Sequence, residues 1–142
     1  MQLSRRDLGL LLPALASVAA AQPAQPGVLP SKLYHTEEIA YTGDDKKKGR
    51  RFFLGATHQG FNLEVHETVL GPGVETHPPH QHVHEEIIVV VEGKFEAHID
   101  GKTDTVNAGS IVFFASNKLH NGRNAGTTNC RYYVIELRAD AA

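Results

Sequence analysis

The sequence contains no tryptophan and a single cysteine, Cys130. One thiol can form neither an internal disulfide nor a zinc site built from several cysteines, so folds stapled in these ways are excluded. We expect Cys130 to be a small buried strand residue. An excess of basic charge is also missing, because 14 Lys and Arg residues stand against 16 Asp and Glu residues. This balance gives no reason to expect a nucleic-acid partner.

Helical periodicity is lacking as well, since no segment repeats its apolar residues at helical spacing over ten positions. The apolar residues instead form short runs rich in β-branched and aromatic side chains, separated by turns with glycine and asparagine. These runs predict strands at residues 50–57, 62–70, 85–93, 94–100, 110–114 and 130–137, with a possible further strand at 103–106. The pair Asp100-Gly101 predicts a two-residue hairpin turn. The whole pattern predicts one all-β sandwich or barrel in this chain of 142 residues.

The first 21 residues have the features of an export signal. The basic pair Arg5-Arg6 precedes an apolar segment that ends in small alanines suited to cleavage. The stretch SRRDLGL resembles the twin-arginine export signal. The apolar segment contains Pro13 and is short for a bilayer span, so a retained anchor is only the alternative interpretation. We predict a periplasmic or secreted protein with no stable membrane anchor after signal removal.

Residues 22–50 are predicted to precede the main domain. They begin with the Pro-rich QPAQPGVLP, typical of a flexible leader, and continue through LYHTEEIAYTG, which could form a short strand or a packed arm. The charged run GDDKKKGRR follows at 43–51, and a solvated loop is its expected structure. The predicted parts are therefore an export signal at 1–21, a leader, arm and charged loop at 22–50, and a barrel domain at 51–142.

Four of the nine histidines lie in one stretch, HPPHQHVHEE at residues 77–86, directly before the apolar run IIVVV. Side chains alternate along a strand, so His80, His82, His84 and Glu86 can all project from one face. That face continues into the apolar run, which would line an interior. A solvated histidine tract would not be expected to continue into an apolar strand on the same face. Imidazole and carboxylate groups that converge at a barrel edge are what a divalent transition metal requires.

The same stretch resembles the first motif of the cupin family, in which Gly is followed by His-x-His, three residues, Glu, six residues and Gly. His80-Gln81-His82, Glu86 and Gly93 match this spacing, and Gly73 lies one residue too far from the first histidine. The stretch GSIVFFASNKLHNGRN resembles the second motif of the family. Gly109, His120 and Asn124 stand at the positions where that motif has Gly, His and Asn. Asn117 stands where the family has a glycine, and Ala115 where it has a proline. Asparagine tolerates left-handed backbone, so the turn can survive.

The resemblance covers about residues 60–137 and implies a small antiparallel double-stranded β-helix barrel of the cupin, or jelly-roll, type. It also implies that His80, His82, Glu86 and His120 are the ligands of one divalent transition metal. Manganese or iron is favoured, because export in the folded state would let the metal be captured away from copper and zinc. Zinc, nickel and copper are possible with the same ligands.

The resemblance does not select a reaction, because cupins with this ligand set include dioxygenases, isomerases and lyases. One hypothesis is a mononuclear metal-dependent enzyme for a small oxygen-rich molecule that enters past the loop His77–Pro79. The other is a non-catalytic module that binds a metal or a small ligand. Ionisable groups inside the barrel beyond the ligands would favour catalysis, and a purely apolar lining would favour binding. No general acid or base is identified, and the nearest candidates are His77, His84 and Tyr133.

Two further expectations concern which way the strands face. One of Tyr132 and Tyr133 should point inward, while His66 and His98 are expected to be hydrogen-bonded barrel or surface residues. The run IIVVV has no polar alternation, which predicts that both faces of its strand are buried. The odd positions, Ile87, Val89 and Val91, would then need a cover other than the barrel interior, and we expect a homodimer to provide it.

Overall fold

The computed structural model describes residues 27–138, so the predicted export signal lies outside the described residues. The described chain consists of strands and turns with one short 3-10 helix at Thr36–Glu38. The strands are β1 (Thr42–Gly43), β2 (Lys47–Ala56), β3 (Asn62–Leu70), β4 (Glu85–Glu92), β5 (Lys94–Ile99), β6 (Lys102–Asn107), β7 (Ile111–Phe114), β8 (His120–Asn124) and β9 (Cys130–Arg138). No helix within these residues is long and apolar enough to cross a membrane.

The strands form two antiparallel sheets. The larger has the order β1-β2-β3-β9-β4-β7, and the smaller has the order β6-β5-β8. Buried apolar side chains from both sheets form one core cluster, in which the rings of Phe95 on β5 and Tyr132 on β9 have centroids 5.0 Å apart. Cys130 belongs to this cluster and is fully buried, as predicted. The predicted all-β jelly-roll barrel is confirmed.

Alternation along β4 decides which of its side chains enter the barrel. The buried members are Glu86, Ile88 and Val90, and the half-buried members are Ile87, Val89 and Val91. The prediction that the even positions line the interior is confirmed, but full burial of both faces is wrong for this chain alone. The neighbouring edge strand β7 leaves Ile111 and Phe113 exposed on the outer face, at 67% and 54%. Strand pairing alone therefore covers the outer face of β4 only in part.

The charged run differs from the solvated loop that its sequence predicts. The carboxylate of Asp44 accepts hydrogen bonds from the backbone N–H groups of Lys46 and Lys47, both at 2.8 Å, and so shapes the turn between β1 and β2. β2 then begins at Lys47, which pairs with Leu70 of β3. Side chains stand away from the hydrogen-bonded ladder, so a strand near a sheet edge can carry lysine and arginine without losing its pairing.

One turn and one strand show where local sequence signals suffice and where they fail. The predicted hairpin is confirmed, because Asp100 and Gly101 both take positive φ, 47° and 78°, between β5 and β6. Strand β8, in contrast, has the polar sequence HNGRN and no apolar alternation. It is buried because Gly122 lets the Phe95 ring approach closely; a Cβ at Gly122 would come within 2.3 Å of that ring. Close backbone packing, not apolar side chains, defines this strand.

Candidate metal centre

The histidine stretch and β8 lie side by side, joined by backbone hydrogen bonds. The N–H of His80 donates to the carbonyl of His120 at 3.1 Å, and the reverse bond measures 2.9 Å. The N–H of Asn117 donates to the carbonyl of His82 at 2.7 Å, and Asn117 takes the left-handed φ of 58° that its place in the motif requires. The regular strand β4 begins only at Glu85, so these bridges hold residues 80–84 in place of the expected continuous strand.

The four side chains that the cupin resemblance implies as ligands lie close together. The ring centroids are 5.0 Å apart for His80 and His82, 4.7 Å for His80 and His120, and 4.9 Å for His82 and His120. Glu86 Oε2 lies 3.7 Å from His82 Nε2 and 4.0 Å from His120 Nε2. One ligand atom each from His82, Glu86 and His120 lies within 4.8 Å of the others. His80 belongs instead to a second such group, with His77 and His120.

Hydrogen bonds on the far side of two imidazoles set which nitrogen can bind a metal. His82 Nδ1 lies 3.0 Å from the carbonyl of His84, and His120 Nδ1 lies 2.8 Å from that of Lys118. A carbonyl only accepts, so each Nδ1 carries the proton and each Nε2 carries the lone pair. His120 Nε2 is buried and makes no hydrogen bond within the described residues. The Phe114 ring, stacked at 4.4 Å, fixes the plane of this imidazole.

The charges of the group fit a cation. Burial, together with the nearby Glu136 carboxylate, raises the pKa of Glu86 to about 7. Glu86 and Glu136 are directly paired across β4 and β9. Burial also lowers the pKa of His120, which favours the neutral imidazole that a metal needs. A buried carboxylate beside neutral imidazoles is a donor set of nitrogen and oxygen that suits a divalent transition metal.

The centre opens into a cavity of about 290 Å³. Part of its wall is apolar and is formed by Ile88, Phe95, Phe114 and Val134. Three of the implied ligands, His80, His82 and Glu86, line it, and its other ionisable lining residues are Lys47, His66, His77, Tyr132 and Glu136. Lys47 Nζ donates a hydrogen bond to the carbonyl of Thr76. His66 Nδ1 lies 3.4 Å from Glu64 Oε1, and burial lowers the pKa of His66. The lining is therefore not purely apolar.

The structure separates the other sequence candidates. Tyr133 is wrong as a candidate general base, because alternation along β9 turns it to the outer face, where its ring lies 5.7 Å from that of Phe52. Tyr132 is the inward tyrosine. His84 is half-buried with its ring 5.3 Å from that of His82, and it belongs to neither group of ligand atoms. His98 does not line the cavity and instead pairs with Glu96 at 2.7 Å.

Two ionisable cavity residues, Glu136 and Lys47, were not found by sequence reasoning. The position of Glu136 could have been predicted from the sequence. It continues the alternation of Tyr132 and Val134 along β9 and so shares their face. The position of Lys47 could not have been predicted in this way, because it belongs to a run of charged residues in which the sequence distinguishes no position. Its place in the cavity follows from the pairing of β2 with β3 and from its contact with Thr76.

Comparison with known proteins identifies the domain that contains this site. The family model described as a cupin domain matches residues 66–136, a range that contains all four implied ligands. No curated protein matches this chain.

Similar solved structures share the fold at low identity. An RmlC-like cupin from Shewanella frigidimarina has a TM-score of 0.64 and 21% identity over 78% of this chain and 93% of its own. KdgF from Halomonas sp. has a TM-score of 0.64 and 18% identity over 78% and 97%. A protein described as a predicted oxalate decarboxylase from Thermotoga maritima has a TM-score of 0.61 and 18% identity over 75% and 99%. At these identities the likeness shows the fold alone.

Proposed function

We propose that this chain, which belongs to the cupin family, is an exported metal-dependent enzyme that acts on a small, oxygen-rich molecule. The observation that carries the proposal is the set of ionisable side chains that share the cavity with the candidate ligands, namely Lys47, His66 and Glu136. Several titratable groups gathered in one cleft are typical of catalytic sites, and burial lowers the pKa of one of them, His66. A dioxygenase, an isomerase and a lyase are the reaction types that remain open.

The residues proposed to hold the metal are His80, His82, Glu86 and His120. Their nitrogen and carboxylate donors, and the buried Nε2 of His120 that lacks a hydrogen bond, support this assignment. Manganese or iron is the favoured ion. When bound, it would supply Lewis-acid polarisation of a substrate oxygen.

Lys47 gives the cavity a cation that can bind an anionic substrate. An ammonium group has three donors, and its hydrogen bond to the carbonyl of Thr76 uses one of them. The remaining donors are available to a carboxylate that enters the cavity. His66, held beside the Glu64 carboxylate at 3.4 Å, is placed to exchange a proton with such a molecule. We therefore propose small carboxylic acids as the substrate class.

The test is a screen of the metal-loaded protein against keto acids, uronates and phenolics, with and without O₂. Turnover of a carboxylate substrate is expected, and Lys47→Met should raise its KM about 10-fold or more, the worth of one hydrogen bond to a charged group. Lys48→Met is the matched control, because the Lys48 ammonium lies 5.1 Å from the centroid of the Tyr41 ring and does not line the cavity. Fully metal-loaded protein without turnover of any substrate would contradict the proposal.

The alternative is a non-catalytic module that holds a metal and a small ligand. The apolar wall formed by Ile88, Phe95, Phe114 and Val134 favours it. Such a module would bind carboxylates tightly and release them unchanged, so calorimetry and product analysis on the same samples separate the two functions.

A further inference from the structure

We infer that His77 is a fifth protein ligand of the metal, in addition to the four side chains in the two cupin motifs. His77 lies three positions before His80, outside the spacing that both motifs define. The inference rests on the proposed function, because it requires the same ion to be bound. It changes the number of positions on the ion that a substrate can take.

The first observation in support is that His77 lies close to two of the implied ligands. Its ring centroid lies 4.0 Å from that of His80 and 6.1 Å from that of His120, and both ring pairs meet edge-on. One ligand atom from each of these three residues lies within 4.8 Å of the others. Bonds from metal to nitrogen of about 2 Å place opposite ligands about 4 Å apart, so a small adjustment brings all three atoms to one ion.

The second observation is a hydrogen bond that leaves one ring nitrogen of His77 available to a metal. Its Nδ1 lies 3.0 Å from the carbonyl of Pro78, so Nδ1 donates the proton and Nε2 keeps its lone pair. His82 and His120 have the same arrangement, with Nδ1 bound to a backbone carbonyl. Pro78 and Pro79 restrict the backbone between His77 and His80, so little conformational freedom is lost when the ring is held in place.

The shared residue decides that one ion is held, not two. His120 belongs to both groups of ligand atoms, and its Nδ1 is used by the carbonyl of Lys118. Only the single lone pair of Nε2 remains, and it binds one ion at a time. Two ions cannot both use His120, so the centre that we infer holds one ion, with ligands from both groups. On an ion that takes six ligands, this leaves one open position instead of two.

The experiment titrates metal-free protein with Co²⁺, whose visible absorption responds to its coordination. Calorimetry gives the affinity, and X-ray absorption gives the number of bound imidazoles. His77→Ala should weaken Co²⁺ binding at least about 10-fold, since losing a ligand costs no less than losing a residue that only orients one, and it should remove one imidazole from the coordination sphere and change the visible spectrum. Added free imidazole should restore the spectrum. His84→Ala is the matched control and should bind as the wild type does, because its ring is close to His82 but outside both groups.

The remaining outcomes separate this inference from the proposed function. If His77→Ala binds Co²⁺ with wild-type affinity and spectrum while His82→Ala does not bind, His77 is not a ligand and the four-ligand centre stands. If the wild type itself does not bind Co²⁺, both proposals fail. Circular dichroism checks folding, and His77→Gln, which keeps bulk and polarity, replaces the alanine variant if that variant does not fold. Wild-type binding by a folded His77→Gln also overturns the inference.

Discussion

At the scale of single residues, Asn124 joins three segments of backbone through its side chain. Its amide donates to the carbonyls of Leu70 at 2.9 Å and Thr128 at 2.7 Å, and its Oδ1 accepts from the N–H of Gly126 at 2.8 Å. The side chain is almost completely buried. The cupin resemblance places Asn124 in the second motif, and the structure gives it a supporting role away from the metal ligands.

Replacing Asn124 should therefore destabilise the fold. Asn124→Ala leaves buried polar groups without partners, and we expect the free energy of unfolding to fall by about 1–3 kcal/mol in urea denaturation. Asn129→Ala, at an exposed position nearby, is the control and should change it by less than about 0.5 kcal/mol. Equal effects of the two substitutions would show that the side-chain hydrogen bonds of Asn124 do not contribute measurably to the free energy of unfolding.

At the scale of elements, one buried carboxylate ties β2, β3 and β9 together. Glu67 on β3 is fully buried, and its oxygens accept from Arg50 at 2.6 Å, Tyr41 at 2.8 Å and Arg131 at 3.0 Å. Burial by itself raises the pKa of Glu67, but the hydrogen bonds from Tyr41, Arg131 and Arg50 outweigh it and leave the pKa below its usual value. On the smaller sheet, hydrogen bonds from Arg123 and then His98 lower the pKa of Glu96 to about 2.

These lowered pKa values predict acid sensitivity. A carboxyl whose pKa is lower in the folded state stabilises the fold above its unfolded pKa, which is 4.5 for glutamate. That stabilisation is lost as the pH falls from there through the folded value. Denaturation followed from about pH 6 to about pH 3 should show the loss, and Glu67→Gln should give a shallower pH dependence. An unchanged slope in that variant would rule out Glu67 as a source of acid sensitivity.

At the scale of the whole molecule, the outer face of the larger sheet is covered at one side only. The N-terminal arm packs there against β2, with the Tyr34 ring 5.0 Å from that of Phe53. The end of the predicted flexible leader packs there too, with the Leu29 side chain over Gly55. The far edge, at β7, keeps Ile111 and Phe113 exposed. Apolar side chains on an edge strand favour association, and a second copy of the chain remains the partner that we predict.

Light scattering tests the dimer. The wild type should have the mass of two chains at micromolar concentration, and Phe113→Asp should shift it to one. Leu119→Asp changes a side chain of similar exposure, 47%, that is not part of β7, and it should leave the dimer intact. A monomeric wild type would contradict the predicted dimer directly.

Export is a prediction about residues outside the described part of the chain. If SRRDLGL acts as a twin-arginine signal, Arg5→Lys combined with Arg6→Lys should leave the precursor in the cytoplasm, because that pathway recognises the arginine pair. Cell fractionation and N-terminal sequencing measure the outcome. Gln2→Ala, outside the motif, should be exported and cleaved normally. Export of the double variant at the wild-type level would point to another route.

The sequence by itself determined those features that depend on neighbours along the chain. Period-two alternation and Asp-Gly chemistry located most strands and the hairpin at Asp100-Gly101, because both are set by local backbone preferences. The resemblance of two stretches to the cupin motifs implied His80, His82, Glu86 and His120 as ligands.

Only the tertiary structure decided the features that depend on which strands pair. The facing of Tyr132 and Tyr133 depends on the side of β9 that meets the smaller sheet, and burial of β8 depends on a glycine beneath an aromatic ring from another strand. Lys47 joins the cavity because the pairing of β2 with β3 brings it there from a distant part of the chain, whereas His77 lies only three residues before His80 and was a candidate from the sequence. Local sequence carries no record of this long-range approach, so the surroundings of Lys47 could not be predicted from its neighbours along the chain.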